Sequence, residues 1–188
     1  MHNLKFLIAF LACNIAFTAS AQTVNPEIFT AAKQGDKATV EALIAAGAAF
    51  DASYKVDRQE ESKTVIEYAA LSGNLALVQW LLERGAKIDA ATTIEGTILH
   101  QAARSGNLSL VQWLVEQGLD LNANNYSGTP LHLAVKADNL PMVEWMLQHG
   151  SNVNANLEYA GTALHQAAKA GNQAMAMFLI KSGADINL

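Results

Sequence analysis

A repeat of about 33 residues constrains this chain more than any other feature of its sequence. The threonine that opens each unit recurs with spacings of 33, 32 and 33 residues, at Thr64, Thr97, Thr129 and Thr162. The glycine that closes each unit keeps the same intervals, at Gly85, Gly118, Gly150 and Gly183. A fixed period of this length indicates a solenoid, in which each unit packs mainly on its neighbours.

Each unit is predicted to contain two short helices joined by a tight turn. In residues 131–137 and 141–148, apolar residues recur three and four positions apart, which marks helices with one buried face. Such short helices are unstable alone, so stacking must stabilise them. The first unit opens with Asn25 as N-cap and Pro26 as the first helical residue, and it lacks the threonine, as a terminal unit would. The sequence therefore predicts an all-α solenoid with repeats at about 25–52, 53–91, 92–123, 124–155 and 156–188.

The first 21 residues are predicted to be a secretory signal peptide. Lys5 precedes an apolar run at residues 6–17, and Ala19-Ser20-Ala21 forms a small-x-small cleavage site. This run is too short for a permanent membrane span. Lipid modification of Cys13 is the alternative, but residues 10–12 fit a lipobox poorly. We therefore expect residues 22–188 in the periplasm, with release into the medium as the alternative.

The composition of the mature chain narrows the kinds of partner. Residues 22–188 contain 11 basic and 17 acidic side chains, a net charge of −6, and no cysteine. No disulfide can therefore support the fold, although export implies an oxidising compartment. The negative charge disfavours nucleic acid, whose phosphates require a basic surface. No apolar run of these residues approaches membrane-spanning length, so the mature protein is expected to be soluble.

Three consecutive units carry a recognisable pattern: GTILHQAARSGNLSLVQWLVEQGLDLNA, GTPLHLAVKADNLPMVEWMLQHGSNVNA and GTALHQAAKAGNQAMAMFLIKSGADIN. They resemble the ankyrin repeat, which combines a β-turn finger, G-x-T-P-L-H-x-A-A, a V-x-x-L-L helix and G-A-D-V-N-A. The resemblance covers essentially all of residues 22–188. It departs in two places, because the glycine directly precedes the threonine and because Glu67 replaces the histidine of the second repeat. The resemblance implies an ankyrin solenoid with short β-turn fingers that serves as a non-enzymatic scaffold for a protein partner.

Two rows of equivalent residues have both a chemical and a structural interpretation. His100, His132 and His165 should lie roughly 8–10 Å apart, the distance between packed helices, which is too far to share one metal ion. The resemblance implies that they hydrogen-bond neighbouring turns instead. The other row is aromatic and adjoins the buried residues, so packing between repeats is favoured over a ligand platform; its members are Trp80, Trp113, Trp145 and Phe178. We expect no metal and no cofactor.

Other repeated positions are interpreted as structural, and none of them indicates an enzyme. The turn between helices carries glycine or, in the fourth repeat, Asp138, which tolerates positive φ better than most residues. Asn107 aligns with Asn74, Asn139 and Asn172, so its Asn-Leu-Ser sequence belongs to the repeat pattern rather than to a glycosylation site. The sequence contains no nucleophile elbow, no H-E-x-x-H and no phosphate-binding glycine loop. Catalysis is therefore not expected.

The candidate partner-binding residues lie at the ends of the first helices and in the fingers. The helix-end row is the residue two before each inter-helix turn position: Lys33, Leu71, Arg104, Lys136 and Lys169. The resemblance places this row on the concave, partner-facing side, although cations are also favoured at any helix C-terminus. The finger candidates are Ile94, Glu95, Tyr126 and Tyr159, of which the tyrosines are aromatic anchors typical of interfaces.

The function expected from this surface is binding of a protein with acidic contact groups. The protein is either an immunity protein or an accessory factor of a periplasmic enzyme, such as a stress-defence enzyme; a secreted effector that binds host proteins is the alternative. The charged insertion at 51–63 is either a solvated loop or a recognition element. Met175, Met177 and Phe178 are expected to be partly exposed, which would allow self-association of an otherwise monomeric chain.

Overall fold

The computed structural model describes residues 24–54, 56, 62–88 and 96–188, and these residues form an all-α repeat solenoid, as predicted. The proposed signal peptide lies outside the described residues, as do positions 57–61 of the insertion. The described part contains ten helices, two in each repeat. They are α1 (Pro26–Lys33), α2 (Lys37–Ala45), α3 (Val65–Leu71), α4 (Leu75–Glu83), α5 (Ile98–Ser105), α6 (Leu108–Glu116), α7 (Pro130–Lys136), α8 (Leu140–Gln148), α9 (Ala163–Lys169) and α10 (Gln173–Lys181).

The core runs without interruption through all the repeats. Each first helix packs on the first helix of the next repeat and on the second helix of its own repeat. The first helices of repeats two to four are almost wholly buried, as α3 shows over residues 65–70, whereas α9 of the last repeat buries only Ala163 and Ala167. The second helices bury one face only, which in α6 consists of Leu110, Val111 and Leu114. Full burial of side chains of this size contributes about 1.5–3 kcal/mol each, so contacts between repeats supply most of the stability.

The helices begin at the N-cap residues that the sequence predicts. At the start of α1, the Oδ1 atom of Asn25 accepts a hydrogen bond of 3.0 Å from the Glu27 backbone N–H, and Pro26 follows as the first helical residue. The first helices of repeats two to five each begin after a threonine with extended backbone geometry. These caps satisfy backbone N–H groups that would otherwise lack partners at a helix end.

One asparagine in each of repeats two to five caps a helix and also joins two repeats. The Oδ1 atom of Asn107 accepts from the Leu110 backbone N–H at 3.1 Å, and its Nδ2 atom donates to the carbonyl oxygen of Gly73 in the preceding repeat at 2.7 Å. Asn74 and Asn139 make the same two kinds of bond. The structure thus gives the aligned asparagines the structural role that their spacing indicates.

The turn between the two helices requires a left-handed backbone. Its glycines have φ values between 67° and 79°, and Asp138 takes the same position in the fourth repeat with φ 53°, the only positive φ of a non-glycine residue in the described part. In the fifth repeat the Nδ2 atom of Asn172 donates to the Asp138 carboxylate instead of to a turn carbonyl. A side-chain acceptor therefore replaces the backbone acceptor, and the bond between the two repeats is kept.

The insertion is anchored where repeats one and two meet. Strand β1 (Ser53–Tyr54) pairs antiparallel with β2 (Lys63–Thr64). The Tyr68 hydroxyl donates to the Tyr54 carbonyl oxygen at 3.1 Å and accepts from the Val56 backbone N–H at 3.0 Å. The Phe29 ring stacks on Tyr54 with 5.3 Å between ring centroids. The described ends of the insertion are therefore fixed to the core, and a recognition role for the insertion stays a prediction.

The last repeat is only partly as expected. Met177 is half exposed and Phe178 half-buried, but Met175 is buried. The prediction was wrong for Met175, because its side chain lies on the face of α10 that packs into the core. No helix among the described residues is long and apolar enough to cross a membrane.

Candidate protein-binding surface

The helix-end row follows the last turns of the first helices. Lys33, Lys136 and Lys169 end α1, α7 and α9, and Arg104 lies in the last turn of α5. Arg104, Lys136 and Lys169 are exposed, whereas Lys33 is half-buried. Leu71, which ends α3, packs half-buried against the core. The accessible positive charge of the row is thus concentrated in repeats three to five.

The three exposed cations lie within electrostatic reach of one another. The pKa of Lys136 is lowered, first by partial burial and then by repulsion from Arg104 and Lys169. The Lys136 Nζ atom also donates to the Ser127 carbonyl oxygen at 3.2 Å, which joins the row to a finger. Since folding brings like charges together here, an anionic group held among them would relieve repulsion as well as gain attraction.

The finger tyrosines form an exposed aromatic pair. The rings of Tyr126 and Tyr159 stack with 4.4 Å between centroids and 19° between their planes. The two side chains nevertheless remain 58% and 66% exposed. Tyr126 directly precedes Ser127, the contact of Lys136, so the pair adjoins the row. Stacked tyrosines present apolar area at little cost in side-chain entropy, and this is a property of residues that dominate protein interfaces.

The tyrosines are held by two short loops of the same kind. An isolated antiparallel bridge joins Asn125 to Gly128 around Tyr126, and another joins Leu157 to Gly161 around Tyr159. The other two finger candidates, Ile94 and Glu95, lie outside the described residues. The structure thus brings together three cations of the row and two tyrosines, and the part taken by Ile94 and Glu95 stays a prediction.

The histidine row is part of the hydrogen-bonded framework. The Nδ1 atom of His132 accepts from the Thr129 backbone N–H at 3.2 Å, and His100 and His165 make the same bond. An accepting Nδ1 carries no proton, so the neutral ring carries it on Nε2. The Nε2–H of His132 donates to the Gly161 carbonyl oxygen of the next finger at 3.1 Å. This is the bond between neighbouring turns that the resemblance implies.

The surroundings of His100 and His132 lower the pKa of both rings. Burial lowers the pKa of His100 to about 4, and the carbonyl groups of Gly128 and Ala123 act in the opposite direction. Burial is the largest of these effects, and the Nε2 atom makes no hydrogen bond with any described residue. Burial likewise lowers the pKa of His132, and Lys136 adds repulsion. Neutral rings with occupied Nδ1 atoms serve as structural bonds.

Glu67 replaces the histidine without loss of the helix cap. The Thr64 backbone N–H donates to its Oε2 atom at 2.7 Å, and the Thr64 hydroxyl donates to the same oxygen at 3.0 Å. The helix-cap hydrogen bonds of this repeat are therefore present. A carboxylate has no donor equivalent to Nε2–H, so Glu67 cannot bond to the next finger as His132 does.

The structure also explains the glycine that precedes the threonine. A Cβ atom on Gly128 would lie 2.6 Å from the Cβ atom of His132 and 2.8 Å from its Cγ atom, and the φ of Gly128 is 125°. In the second repeat Lys63 replaces this glycine, and there Glu67 replaces the histidine. Both residues are buried. The two departures from the repeat pattern thus occur together, a link that sequence analysis missed.

The aromatic row packs against the core, as its sequence position indicates. Trp80, Trp113, Trp145 and Phe178 are all half-buried. His149 follows the end of α8, where its Nδ1 atom contacts the Trp145 carbonyl oxygen at 2.8 Å and its ring stacks on the Trp145 ring. Within the described ranges, no three His, Cys, Asp or Glu side chains are arranged to hold a metal ion.

Stacked helix pairs with finger loops between them define a helical repeat solenoid. Comparison with protein-family models identifies the kind of solenoid. A model described as ankyrin repeats (3 copies) matches residues 99–188, and one described as ankyrin repeats (many copies) matches residues 28–82 and 66–115. The chain belongs to the ankyrin repeat family. A comparison with individual curated proteins finds no match.

Membership of this family indicates a protein–protein interaction module. Ankyrin repeat domains are generally non-enzymatic interaction modules. The repeated histidines take part in helix-cap bonds, and the prominent exposed features of the described surface are cations and aromatic rings.

Proposed function

We propose that residues 22–188 form a periplasmic protein-binding module, which binds an acidic surface of its partner through the helix-end row and the fingers. One observation carries this proposal. Arg104, Lys136 and Lys169 stand close together beside the exposed Tyr126–Tyr159 pair, on a segment whose net charge is −6. A local basic row on an otherwise acidic protein orients an acidic partner, while the tyrosines supply apolar contact.

Two biological roles agree with such a module in the cell envelope. One is an immunity protein that shields the cell from a toxin acting there. The other is an accessory factor that supports a periplasmic enzyme, for example one of oxidative-stress defence. The genes beside this one distinguish them, since a toxin gene favours the first role and a catalase or peroxidase gene favours the second.

A secreted effector that binds host proteins is the second candidate function. It is supported by the same exposed row and by the export signal predicted in residues 1–21. Fractionation separates the two: mature protein in the periplasmic fraction supports the first proposal, and mature protein in the culture medium supports the effector.

The binding proposal is tested with residues 22–188 as bait in a periplasmic extract, followed by mass spectrometry of the retained proteins. A row variant carries Arg104→Glu, Lys136→Glu and Lys169→Glu. A control variant carries the same change in charge at three cations outside the row, Lys37, Lys87 and Lys181. A third variant carries Tyr126→Ala and Tyr159→Ala. Circular dichroism verifies that each bait is folded.

The expected result is a partner that the wild type and the control variant retain and the row variant loses. The tyrosine variant should retain less of the same partner, because it loses apolar contact but keeps the charge. Equal retention by the row variant would refute binding through the row. Equal loss from the control and row variants would mean that net charge alone determines retention.

A further inference from the structure

The aromatic row differs from repeat to repeat in what covers its rings. The Arg84 guanidinium lies 3.7 Å from the centroid of the Trp80 ring. The His149 ring stacks on Trp145 with 4.0 Å between centroids. Each covering residue stands four positions after its tryptophan, a spacing that places the two side chains on the same face of their helix. The chain therefore supplies its own basic side chain to the aromatic ring in repeats two and four.

The third repeat lacks this arrangement. Four positions after Trp113 stands Gln117, which has no positive charge. Among the residues that the structure describes, no cation stacks on Trp113. Trp113 is half-buried, so its ring is fixed against the core while part of it faces outward. The aromatic surface that is covered from within in the adjacent repeats is thus available to an outside group.

A shallow groove between α4 and α6 leads to this ring. Trp113, Gln117, Glu83 and Leu82 lie along it, and it is open to solvent. Glu83 is exposed, ends α4 and makes no ion pair with any described residue. The groove therefore combines an aromatic ring, an apolar wall and a carboxylate.

We propose that this groove binds the guanidinium group of an arginine on a protein partner, stacked on Trp113 and paired with Glu83. A planar guanidinium stacks on an indole and forms directed hydrogen bonds to a carboxylate, whereas a lysine ammonium does so less well. The Trp80–Arg84 pair shows the same stacking inside this chain. An open groove admits a side chain presented from another surface. This site is separate from the helix-end row and has the opposite charge preference.

Nuclear magnetic resonance of residues 22–188 labelled with nitrogen-15 tests this proposal. The three indole N–H signals are assigned with single Trp→Phe variants. The probe is the capped peptide Gly-Gly-Arg-Gly-Gly at millimolar concentration, and the control peptide carries citrulline, the neutral isostere of arginine. The Trp113 signal should shift saturably with the arginine peptide only. The Trp80 and Trp145 signals serve as internal controls, because Arg84 and His149 already cover those rings.

Three variants sharpen the test. Gln117→Arg should abolish the shift, because the new side chain would cover Trp113 as Arg84 covers Trp80. Gln117→Glu, a change of the same residue to the opposite charge, should keep or strengthen binding. Glu83→Gln should weaken binding by about 10-fold, because a charge-assisted pair is lost.

An unmoved Trp113 signal, equal shifts with citrulline, or unchanged binding by Gln117→Arg would overturn the proposal. Equal shifts with tetramethylammonium would refute arginine as the ligand in favour of a small organic cation. None of these results depends on the helix-end row, so they leave the proposed acidic-partner function to its own test.

Discussion

Gly128→Ala should destabilise the fold far more than Gly150→Ala, although both glycines belong to the fourth repeat and both have positive φ. The φ values are 125° and 91°. An added Cβ atom at Gly150 meets nothing within 4 Å, whereas at Gly128 it would lie 2.6 Å from the Cβ atom of His132. Both substitutions place a Cβ atom on a backbone of positive φ, but only Gly128→Ala also creates a collision.

The magnitudes follow from these contacts. A non-glycine residue in a left-handed conformation costs about 1–2 kcal/mol. Carbon atoms pack at about 3.5–4.0 Å, so a separation of 2.6 Å forces His132 to move. Movement of its ring would weaken or break the hydrogen bonds to Thr129 and Gly161, each of which contributes about 1 kcal/mol to the free energy of unfolding. We expect losses of about 1–2 kcal/mol for Gly150→Ala and about 3–5 kcal/mol for Gly128→Ala.

The assay is equilibrium unfolding of residues 22–188 in urea, followed by far-ultraviolet circular dichroism. Both substitutions remove one glycine from the unfolded chain, so the effect on unfolded-state entropy cancels in the comparison. The difference in the free energy of unfolding between the two variants is the quantity that matters. Equal losses would refute the view that glycine is required at position 128 by its contact with His132.

Three further predictions concern the framework. His100 has a folded-state pKa lowered from 6.5 to about 4, so the unfolded chain binds its proton first. The contribution of His100 to the free energy of unfolding should be complete above about pH 6.5 and should fall by about 3 kcal/mol as the pH drops to about 4. Urea titrations of His100→Gln should show a flatter pH dependence. Asn107→Ala should cost about 1–2 kcal/mol in the same assay, because a helix cap and a bond to the preceding repeat are lost together. Glu67→His alone should lower the free energy of unfolding more than the double substitution Lys63→Gly and Glu67→His. A double-mutant cycle should give a coupling energy of about 0.5–3 kcal/mol between the two positions. Additive losses would show that the two positions are independent.

Much of the fold could be predicted because its signals are local and occur several times. The threonine and glycine spacings define the helix pairs, and Asn25 with Pro26 marks the first helix start, as the structure confirms. Asp138 was correctly expected to take a positive φ. Met175 was misplaced because neighbouring apolar residues in a short helix do not reveal from sequence alone which of them turns toward the core.

The surface could be predicted only in part. The equal spacing of Arg104, Lys136 and Lys169 shows that they share a position, but not that they are close enough to repel one another. Tyr126 and Tyr159 were expected to be exposed, and they are, yet their stacking depends on how neighbouring fingers lie together. Such contacts between repeats are set by the packing of whole helices, which no short stretch of sequence encodes.

The departures from the repeat pattern differ in whether another residue of the chain compensates for them. Asp138 replaces a turn glycine, and Asn172 compensates by bonding to its carboxylate. Lys63 and Glu67 depart together in one repeat, and Glu67 keeps the helix-cap bonds with Thr64. Gln117 differs from both, because no described side chain covers Trp113 as Arg84 covers Trp80 and His149 covers Trp145. A departure for which another residue of the chain compensates is explained within the fold. The uncompensated departure at Gln117 leaves the Trp113 ring open to a side chain of a partner.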